Sequence, residues 1–556
     1  MPSIEHWPDI LKADLETKWG RLEQAWQEAG LHLPADRDLR DRLQRVLAFS
    51  DFVADSCVRE PLLVAHLWED DGLRSTAASA DPAGRLRACL DGAADVDDLA
   101  GRLRRFRRHE MVRIAWRDLT GSADLAAITS DLSDLAEACL GQTLAWLYAH
   151  QCAEQGVSVP PAPPPQGLAV IALGKLGARE LNFSSDVDLI FAFAERNGPR
   201  DAPLPAEPAE FFARLCRRLI HVIGQPTAEG LVFRVDLRLR PFGDNGPLLL
   251  SFDSMEHYYQ EQGRDWERYA WIKARAVAGD ASAGRSLLQR LHPFVYRRYL
   301  DFGAFESLRA MKHMITEEVA RRGMHQNIKL GRGGIREIEF FGQMFQLIRG
   351  GVCPELQKGP IREVLAALVA EGHIPAAVQR ELDAAYVFLR TVEHRLQEAA
   401  DQQTHALPPD PLGQARLAAS MGFEGYAAFL AALDRHRDAV HGHFQMLLES
   451  PEAERSEGRR GSSLSEEGGL TWSPARPDPA RGQRATAASR RSPCRVRPMP
   501  REAAGTARRT KGASCVAAHA GGHSSVGPAA GSGQCPPPGW FPAGGTPGTA
   551  GRRRSP

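Results

Sequence analysis

The sequence has no apolar run near the roughly 18 residues that a membrane-spanning helix needs. Its first residues, Met1 to Trp19, are polar and mixed in charge, and they lack the apolar segment of a signal peptide. The nine cysteines are scattered without any Cys-x-x-Cys pair, which disfavours a disulfide framework or a structural zinc site. These absences predict a cytoplasmic protein that has no membrane partner.

The last 106 residues, 451–556, have too few large apolar side chains to bury a core. They contain two Leu, three Val, one Phe and no Ile, whereas glycine and proline together make up 31 of the 106. Such a composition is typical of disordered, low-complexity sequence. We therefore predict a disordered tail at 451–556, so that a core can form only within 1–450.

The formal net charge of zero hides opposite charges in these two parts of the chain. The tail carries 17 basic residues against 7 acidic ones, which leaves 52 basic and 62 acidic residues in 1–450. Affinity for nucleic acid needs Lys and Arg clustered along the phosphate path. The acidic body therefore predicts no nucleic-acid partner.

Apolar spacing along 1–450 changes from helical to strand-like and back. Residues 4–153 show helical spacing, and a proline cluster at 160–165 follows. Next come predicted strands at 168–173, 189–193 (led in by Val187) and 231–239, with a helix at 208–224. Helical spacing then returns, with predicted helices at 252–276, 281–300, 305–322 and 335–348 and several more up to about residue 448.

These patterns predict a predominantly helical α+β fold in which a small α/β domain is flanked by helical domains. The predicted parts are an N-terminal helical domain at 1–158, a catalytic α/β domain at 159–300, a C-terminal helical domain at 301–450 and the tail at 451–556.

Two aspartates at alternate positions, Asp186 and Asp188, lead into the second predicted strand. Alternate residues of a strand face the same side, so both carboxylates should project together. A third carboxylate, Asp236, lies on the polar face of the segment 231–239, beside Arg234. Oxygen ligands of this kind suit Mg²⁺, and three of them could hold two ions for an in-line displacement at phosphorus. We predict that Asp186, Asp188 and Asp236 are both metal ligands and catalytic residues.

A second predicted set could contact a phosphate or a nucleotide. Two glycines would let the backbone approach a phosphate closely, a lysine adds a positive charge, and arginines could bind phosphate bidentately. The spacing is not that of a P-loop, and the two serines are no nucleophiles because the motif contains no histidine to act as base. The set is Gly174, Lys175, Gly177, Ser184, Ser185, Arg238 and Arg240.

Each of these signals is weak alone, because a bare Asp-x-Asp at a strand end is usually a solvated edge. Their order along the chain favours a functional site. Arg332 and Arg336 form either a phosphate contact or the charged face of an amphipathic helix. His441 and His443, with His436, are interpreted as part of a solvated helix face.

Four segments closely resemble the bacterial glutamine synthetase adenylyltransferase/adenylyl-removing enzymes. They are Gly174–Asn182, Ser184–Ile190, Phe233–Gly243 and Lys329–Phe340. The resemblance covers about residues 1–450 and implies a nucleotidyltransferase fold of the polymerase-β type. Family members contain two such halves in tandem, and this sequence resembles the N-terminal one.

To that half the family assigns removal of AMP from a modified tyrosine of glutamine synthetase, which regulates nitrogen assimilation. The reaction is phosphorolysis, in which inorganic phosphate is a substrate and ADP a product. The resemblance thus implies Mg²⁺, as two ions, adenylylated glutamine synthetase as the protein substrate and the PII signal protein as regulator.

The second half of the family, which uses ATP to attach AMP, has no counterpart in this sequence, where the basic tail stands instead. A reading-frame disruption near residue 450 is the expected cause, and resequencing the gene would test it. Two alternatives remain open for the function. One is a nucleotidyltransferase that modifies a PII-type signal protein, and the other is a non-catalytic fragment that binds glutamine synthetase or PII.

Overall fold

The computed structural model describes residues 4–32, 36–69, 81–156, 165–195, 208–297, 317, 321 and 326–448. The predicted disordered tail and nearly all of the predicted helix at 305–322 lie outside these residues. The chain divides into two compact units. One of them, Pro474–Pro536, also lies outside the described residues, and every described residue belongs to the other unit.

Seven helices precede the sheet within the described residues, and polar side chains cap several of them. Asp36, Asp95 and Asp124 each accept a hydrogen bond from a backbone N–H of the first helical turn, which satisfies donors that the helix leaves unpaired. The helices are α1 (Asp9–Glu28), α2 (Arg37–Phe49), α3 (Asp51–Arg59), α4 (Leu62–Glu69), α5 (Pro82–Leu90), α6 (Val96–Leu119) and α7 (Leu125–Glu154).

A five-stranded mixed sheet follows, with α8 (Gly174–Gly177) and α9 (Pro208–Gly224) among its connections. Its strands are β1 (Leu168–Ala172), β2 (Asp186–Phe193), β3 (Arg234–Asp236), β4 (Leu249–Ser251) and β5 (Arg275–Gly279). Strand β1 pairs antiparallel with β2 and with β5. The other edge of β2 pairs in parallel with β3 near its start and with β4 near its end.

Helices form most of the rest of the described chain. They are α10 (Phe252–Glu261), α11 (Asp265–Trp271), α12 (Ala281–Val295), α13 (Ile335–Arg349), α14 (Ile361–Ala370), α15 (Ala376–Glu398), α16 (Pro411–Ser420) and α17 (Tyr426–Leu448). No described helix combines the length and the apolar character needed to cross a membrane.

Two of the predicted elements were wrong in extent. The strand predicted at 231–239 is only three residues long, because the Asp236 carboxylate accepts from the backbone N–H of Arg238 and turns the chain. The helix predicted at 252–276 breaks into α10 and α11, and its last residues belong to β5. The segment Arg275–Gly279 has no strand-like alternation, and it is extended because β1 offers a pairing edge.

The sheet separates two hydrophobic cores. Leu168 and Val170 of β1 face a core shared with the N-terminal helices and α9, whereas Ala169 and Ile171 face a core shared with the C-terminal helices. This alternation is the period of two expected for a strand that is buried on both faces. The predicted class, predominantly helical α+β, is confirmed, while the predicted domain boundaries stay predictions.

Candidate active site

The three predicted carboxylates meet in one pocket at the edge between β2 and β3. Asp188 lies directly opposite Asp236 in the parallel pairing, and Asp186 lies opposite Arg234. All three aspartates line the same pocket, which holds about 1100 Å³ of empty space including its mouth. The register of two short strands thus brings together acids that are about 50 residues apart in the sequence.

Asp188 is the most unusual acid of this group. Burial raises the pKa of its carboxyl to about 7, and the nearby charges of Asp236 and Asp186 add to the effect. Its side chain has no hydrogen-bond or ion-pair partner among the residues that the structure describes. A cation is therefore the partner that would best stabilise the ionised group.

The two predicted glycines have different structural roles. Gly174 has a φ of +55°, and a Cβ built on it would lie 2.3 Å from Asp188 Oδ2, so the glycine keeps space open beside that carboxylate. Gly177 does not line the pocket, and a Cβ built on it would lie 2.0 Å from the backbone oxygen of Lys273. Gly177 therefore permits close backbone packing against the segment after α11.

Arginines neutralise part of the negative charge at the site. Arg234 Nε donates to Asp186 Oδ1 at 2.8 Å, and Arg238 Nε donates to Asp236 Oδ1 at 3.0 Å. Arg238 lines the pocket. Arg240 does not line it, because its guanidinium donates to the backbone oxygens of Leu237 and Asp244 within its own turn.

Lys175 lines the pocket, but its ammonium is occupied by a buried acceptor network. Lys175 Nζ donates to Glu393 Oε1 at 2.7 Å and to Asn182 Oδ1 at 2.8 Å. Burial lowers the pKa of Lys175 to about 7, although the Glu393 carboxylate opposes that shift. Lys175 thus joins the glycine turn to helix α15.

The two predicted serines, Ser184 and Ser185, occupy different environments. Ser185 lines the pocket with the aspartates. Ser184 is buried behind it, where its backbone N–H donates to Gln397 Oε1 at 2.8 Å and its hydroxyl donates to the backbone oxygen of Asp401. Ser184 therefore supports the loop before β2.

Much of the pocket wall comes from residues that the local patterns did not identify. They are Lys273, Lys329, Gln343, Gln403 and His405. Lysine, glutamine and histidine at isolated positions carry no periodic signal. Of these five residues, only Lys329 lies within a segment that resembles the family. That resemblance is the one sequence signal that could have identified Lys329 as a pocket residue.

Helix α13 contributes a buried ion pair to the wall. Lys273 Nζ donates to Glu339 Oε1 at 2.8 Å. Burial alone would raise the pKa of Glu339, but the charges of Lys273 and Arg336 hold it well below its usual range. Arg336 also lines the pocket, whereas Arg332 pairs with Asp438 outside it. Of the two interpretations for this segment, pocket contact suits Arg336 and the charged helix face suits Arg332.

The histidines of α17 are less solvated than the sequence predicted. His443 is buried and lies 2.6 Å from Glu381 Oε2, and His441 lies 3.2 Å from Glu337 Oε2. His436 stacks on Phe388 at a ring distance of 4.5 Å. None of the three lines the pocket, so their contacts are those of helix packing.

Known proteins similar to this chain carry nucleotidyltransferase names. The family model "Glutamate-ammonia ligase adenylyltransferase" matches residues 40–290, and the model "GlnD PII-uridylyltransferase" matches residues 309–448. The bifunctional glutamine synthetase adenylyltransferase/adenylyl-removing enzyme of Nitrosococcus oceani is 48% identical over 452 residues, which are 81% of this chain and 46% of that protein.

Two further enzymes with the same name show the same extent of similarity. The protein of Thioalkalivibrio sulfidiphilus is 47% identical over 82% of this chain and 47% of its own length. That of Pseudomonas aeruginosa is 47% identical over 78% of this chain and 44% of its own length. The chain spans about half the length of the curated relatives it matches. With this identity and these motifs, the chain is homologous to about half of the bifunctional glutamine synthetase adenylyltransferase/adenylyl-removing enzymes.

Proposed function

We propose that this chain removes AMP from a modified tyrosine of glutamine synthetase by phosphorolysis and so reactivates that enzyme. The observation that carries the proposal is the convergence of Asp186, Asp188 and Asp236 in one pocket. Carboxylates on neighbouring strands can hold metal ions for displacement at phosphorus. The assignment of the removing rather than the attaching reaction rests on the resemblance of the sequence motifs to the N-terminal half of the family.

The residues fit Mg²⁺ as the metal. Three carboxylates offer hard oxygen ligands, Asp188 lacks a partner among the described residues, and Gly174 keeps space beside it. Asp186, Asp188 and Asp236 would hold the ions, which supply positive charge to phosphoryl oxygens. Inorganic phosphate is the proposed co-substrate and ADP the proposed product.

The proposed step balances without a further reactant. An oxygen of the hydrogen phosphate dianion attacks the AMP phosphorus, and the bond from phosphorus to the tyrosine oxygen breaks. The proton of hydrogen phosphate ends on the tyrosine oxygen, so the products are ADP and an unmodified tyrosine. Such a transfer needs positioned charge rather than a covalent intermediate, which agrees with a pocket lined by paired cations and acids.

The test uses the purified protein, AMP-modified glutamine synthetase, inorganic phosphate and Mg²⁺, with ADP release as the measurement. Replacing Asp186→Asn together with Asp188→Asn should lower the rate by more than about 100-fold, because charge stabilisation at phosphorus is lost. A control with Asp9→Asn and Asp97→Asn removes two exposed carboxylates on α1 and α6 and should keep the rate. No ADP from the unaltered protein, or equal ADP from the Asp186/Asp188 variant, would contradict the proposal.

A second candidate function has one observation in its favour, the match of residues 309–448 to the PII-uridylyltransferase model. In that case the chain would transfer a nucleotide to a PII-type signal protein. Incubation of the purified protein with a PII-type protein, UTP and Mg²⁺, with UMP bound to the PII-type protein as the measurement, distinguishes the two candidates. We further propose that unmodified PII acts as a regulator, which predicts that its addition changes the rate of ADP release.

The remaining alternative is a non-catalytic fragment that binds glutamine synthetase or PII. It predicts binding that the Asp186/Asp188 variant retains, with no ADP release from any form of the protein.

A further inference from the structure

The cations of the pocket differ in whether a carboxylate already neutralises them. Lys175 donates to Glu393, Lys273 donates to Glu339, and Arg238 donates to Asp236. These pairs have donor–acceptor distances between 2.7 and 3.0 Å. A cation in such a pair can offer an incoming anion only part of its charge, because the carboxylate competes for it.

Lys329 is in a different situation. It lines the same pocket and is partly buried, and within the described part of the chain no carboxylate pairs with its ammonium. Burial and the Asp236 and Asp186 charges raise the pKa of Asp188, and the Lys329 charge opposes them, which places the ammonium near the carboxylate cluster. Arg336, the other arginine of the pocket, lies 3.6 Å from Glu339 Oε2, so among the described lining residues Lys329 is the lysine or arginine without a carboxylate partner.

The backbone around Lys329 is held in place by several hydrogen bonds. Asn327 Oδ1 accepts from the backbone N–H groups of Lys329 and Leu330, each at 2.9 Å. The backbone oxygen of Lys329 accepts from the N–H of Arg336 at 3.0 Å, at the start of α13. Gly334 allows this turn, since a Cβ there would lie 2.7 Å from the Lys329 oxygen. The lysine is therefore presented to the pocket by a rigid turn.

We propose that Lys329 binds the inorganic phosphate that attacks the AMP phosphorus. This inference rests on the proposed phosphorolysis and adds a residue to it. The attacking dianion must approach a phosphodiester that is itself negative, in a pocket that contains Asp186, Asp188 and Asp236. An ammonium with no carboxylate partner supplies the countercharge that this approach needs, as lysine does for phosphate at other sites.

The experiment compares the steady-state kinetics of the unaltered protein with those of Lys329→Met, Lys329→Arg and Lys12→Met. Lys12 lies on α1 outside the pocket, so its replacement controls for the loss of one positive charge. We expect Lys329→Met to raise the KM for phosphate by roughly 10- to 100-fold, the usual value of a hydrogen bond to a charged group. The KM for the AMP-modified protein and kcat at saturating phosphate should stay within about twofold.

Retention of the charge in Lys329→Arg should restore most of the phosphate affinity. An unchanged KM for phosphate in Lys329→Met overturns the inference, and so does an increase in the KM for the AMP-modified protein alone. The latter result would place Lys329 on the AMP phosphate. Unfolding temperatures should be nearly equal for the unaltered protein and Lys329→Met, because no described carboxylate forms an ion pair with this lysine.

A measurement without the protein substrate separates this inference from the proposed function. The ³¹P line width of inorganic phosphate is recorded with Mg²⁺ and each purified protein. Broadening by the unaltered protein that is lost in Lys329→Met supports the phosphate site, even if no ADP is ever formed. Equal line widths with the two proteins overturn it, even if phosphorolysis is observed.

Discussion

At the scale of single residues, the site depends on the absence of one side chain. Gly174 adopts a φ of +55°, and a Cβ there would lie 2.3 Å from Asp188 Oδ2. The residue therefore satisfies two requirements, a left-handed backbone and free space beside a carboxylate. Only glycine meets both without strain.

Replacement of this glycine should separate the two requirements. Gly174→Ala should destabilise the fold by about 1–2 kcal/mol through its left-handed backbone and should also abolish Mg²⁺-dependent ADP release, because the methyl group displaces Asp188. Gly92→Ala is the matched control, since Gly92 has a φ of +70° and nothing within 4 Å of its missing Cβ. The control should lose similar stability in thermal unfolding and keep its activity. Equal activity of both variants would contradict this account of Gly174.

The raised pKa of Asp188, about 7 against an ordinary 3.8, has a consequence for stability. In the unfolded chain this acid ionises near its ordinary pKa, whereas in the metal-free fold it keeps its proton up to about pH 7. Its contribution to stability is therefore complete below about pH 4 and is lost as the pH rises to about 7.

The measurement is chemical unfolding with EDTA between about pH 5 and 8, for the unaltered protein and for Asp188→Asn. The free energy of unfolding of the unaltered protein should fall with rising pH relative to the variant. Added Mg²⁺ should offset this fall in the unaltered protein only. Parallel pH profiles of the two proteins would show that Asp188 ionises normally.

At the scale of elements, helix α15 carries a buried and mostly polar segment behind the site. Its residues Glu393 to Arg395, followed by Gln397 and Glu398, are all buried. The Glu393 carboxylate is central, because it accepts a hydrogen bond from Lys175 Nζ. Its Oε1 also lies 3.0 Å from His405 Nε2, and its Oε2 lies 2.9 Å from Arg390 Nε. These contacts bind the helix to the turn after β1 and to the loop that follows α15.

Breaking this network of buried charges should lower the free energy of unfolding substantially. Glu393→Gln leaves the buried Lys175 ammonium without its countercharge, and we expect a loss of about 3–5 kcal/mol in the free energy of unfolding. Replacing both partners, as in Lys175→Met with Glu393→Leu, should cost less than the single change. Asp383→Asn on the same helix removes a part-exposed ion pair with Arg362 and should cost no more than about 1 kcal/mol. Denaturant unfolding of the variants measures the differences, and equal losses for Glu393→Gln and Asp383→Asn would contradict the role of burial.

At the scale of the whole molecule, the sheet is covered on both faces by helices from distant parts of the sequence. Helix α7 packs against α9 and β5 on the side of the N-terminal core. Contacts also join the two ends of the described chain, since Arg416 of α16 donates to Asp51 at the start of α3. Described helices from both sides of the boundary predicted at residue 158 therefore pack on the same sheet, while the boundary itself stays a prediction.

This arrangement predicts that residues 159–448 do not fold alone, because removal of α7 exposes one apolar face of the sheet to water. Residues 1–448 should unfold in one cooperative transition, and deletion of 451–556 should leave the unfolding temperature unchanged, since that segment has too few apolar residues for a core. Calorimetry of the three proteins tests both statements. A cooperative transition for 159–448, or a large shift on loss of the tail, would contradict them.

Much of the site was predictable where the signal is local. Alternation placed Asp186 and Asp188 on one strand, helical spacing predicted Pro208–Gly224, and the motif order singled out Asp236. The predictions of site residues were less accurate where a residue distant in sequence determines what a side chain contacts. Arginine and glycine are common in phosphate sites, and both Arg240 and Gly177 were predicted to belong to one. In the structure, Arg240 donates to the backbone oxygen of Leu237, and Gly177 packs against the backbone of Lys273.

The amino-acid sequence by itself determined the helical periodicity, the aspartate pair and the motifs that resemble those of its relatives, because all of these depend on near neighbours along the chain. Only the tertiary structure decided that β5 is a strand, that Lys175 is paired with Glu393, and that Lys329 and His405 reach the same pocket as Asp188. These outcomes depend on strand pairing and burial between segments more than 100 residues apart, which no local pattern encodes.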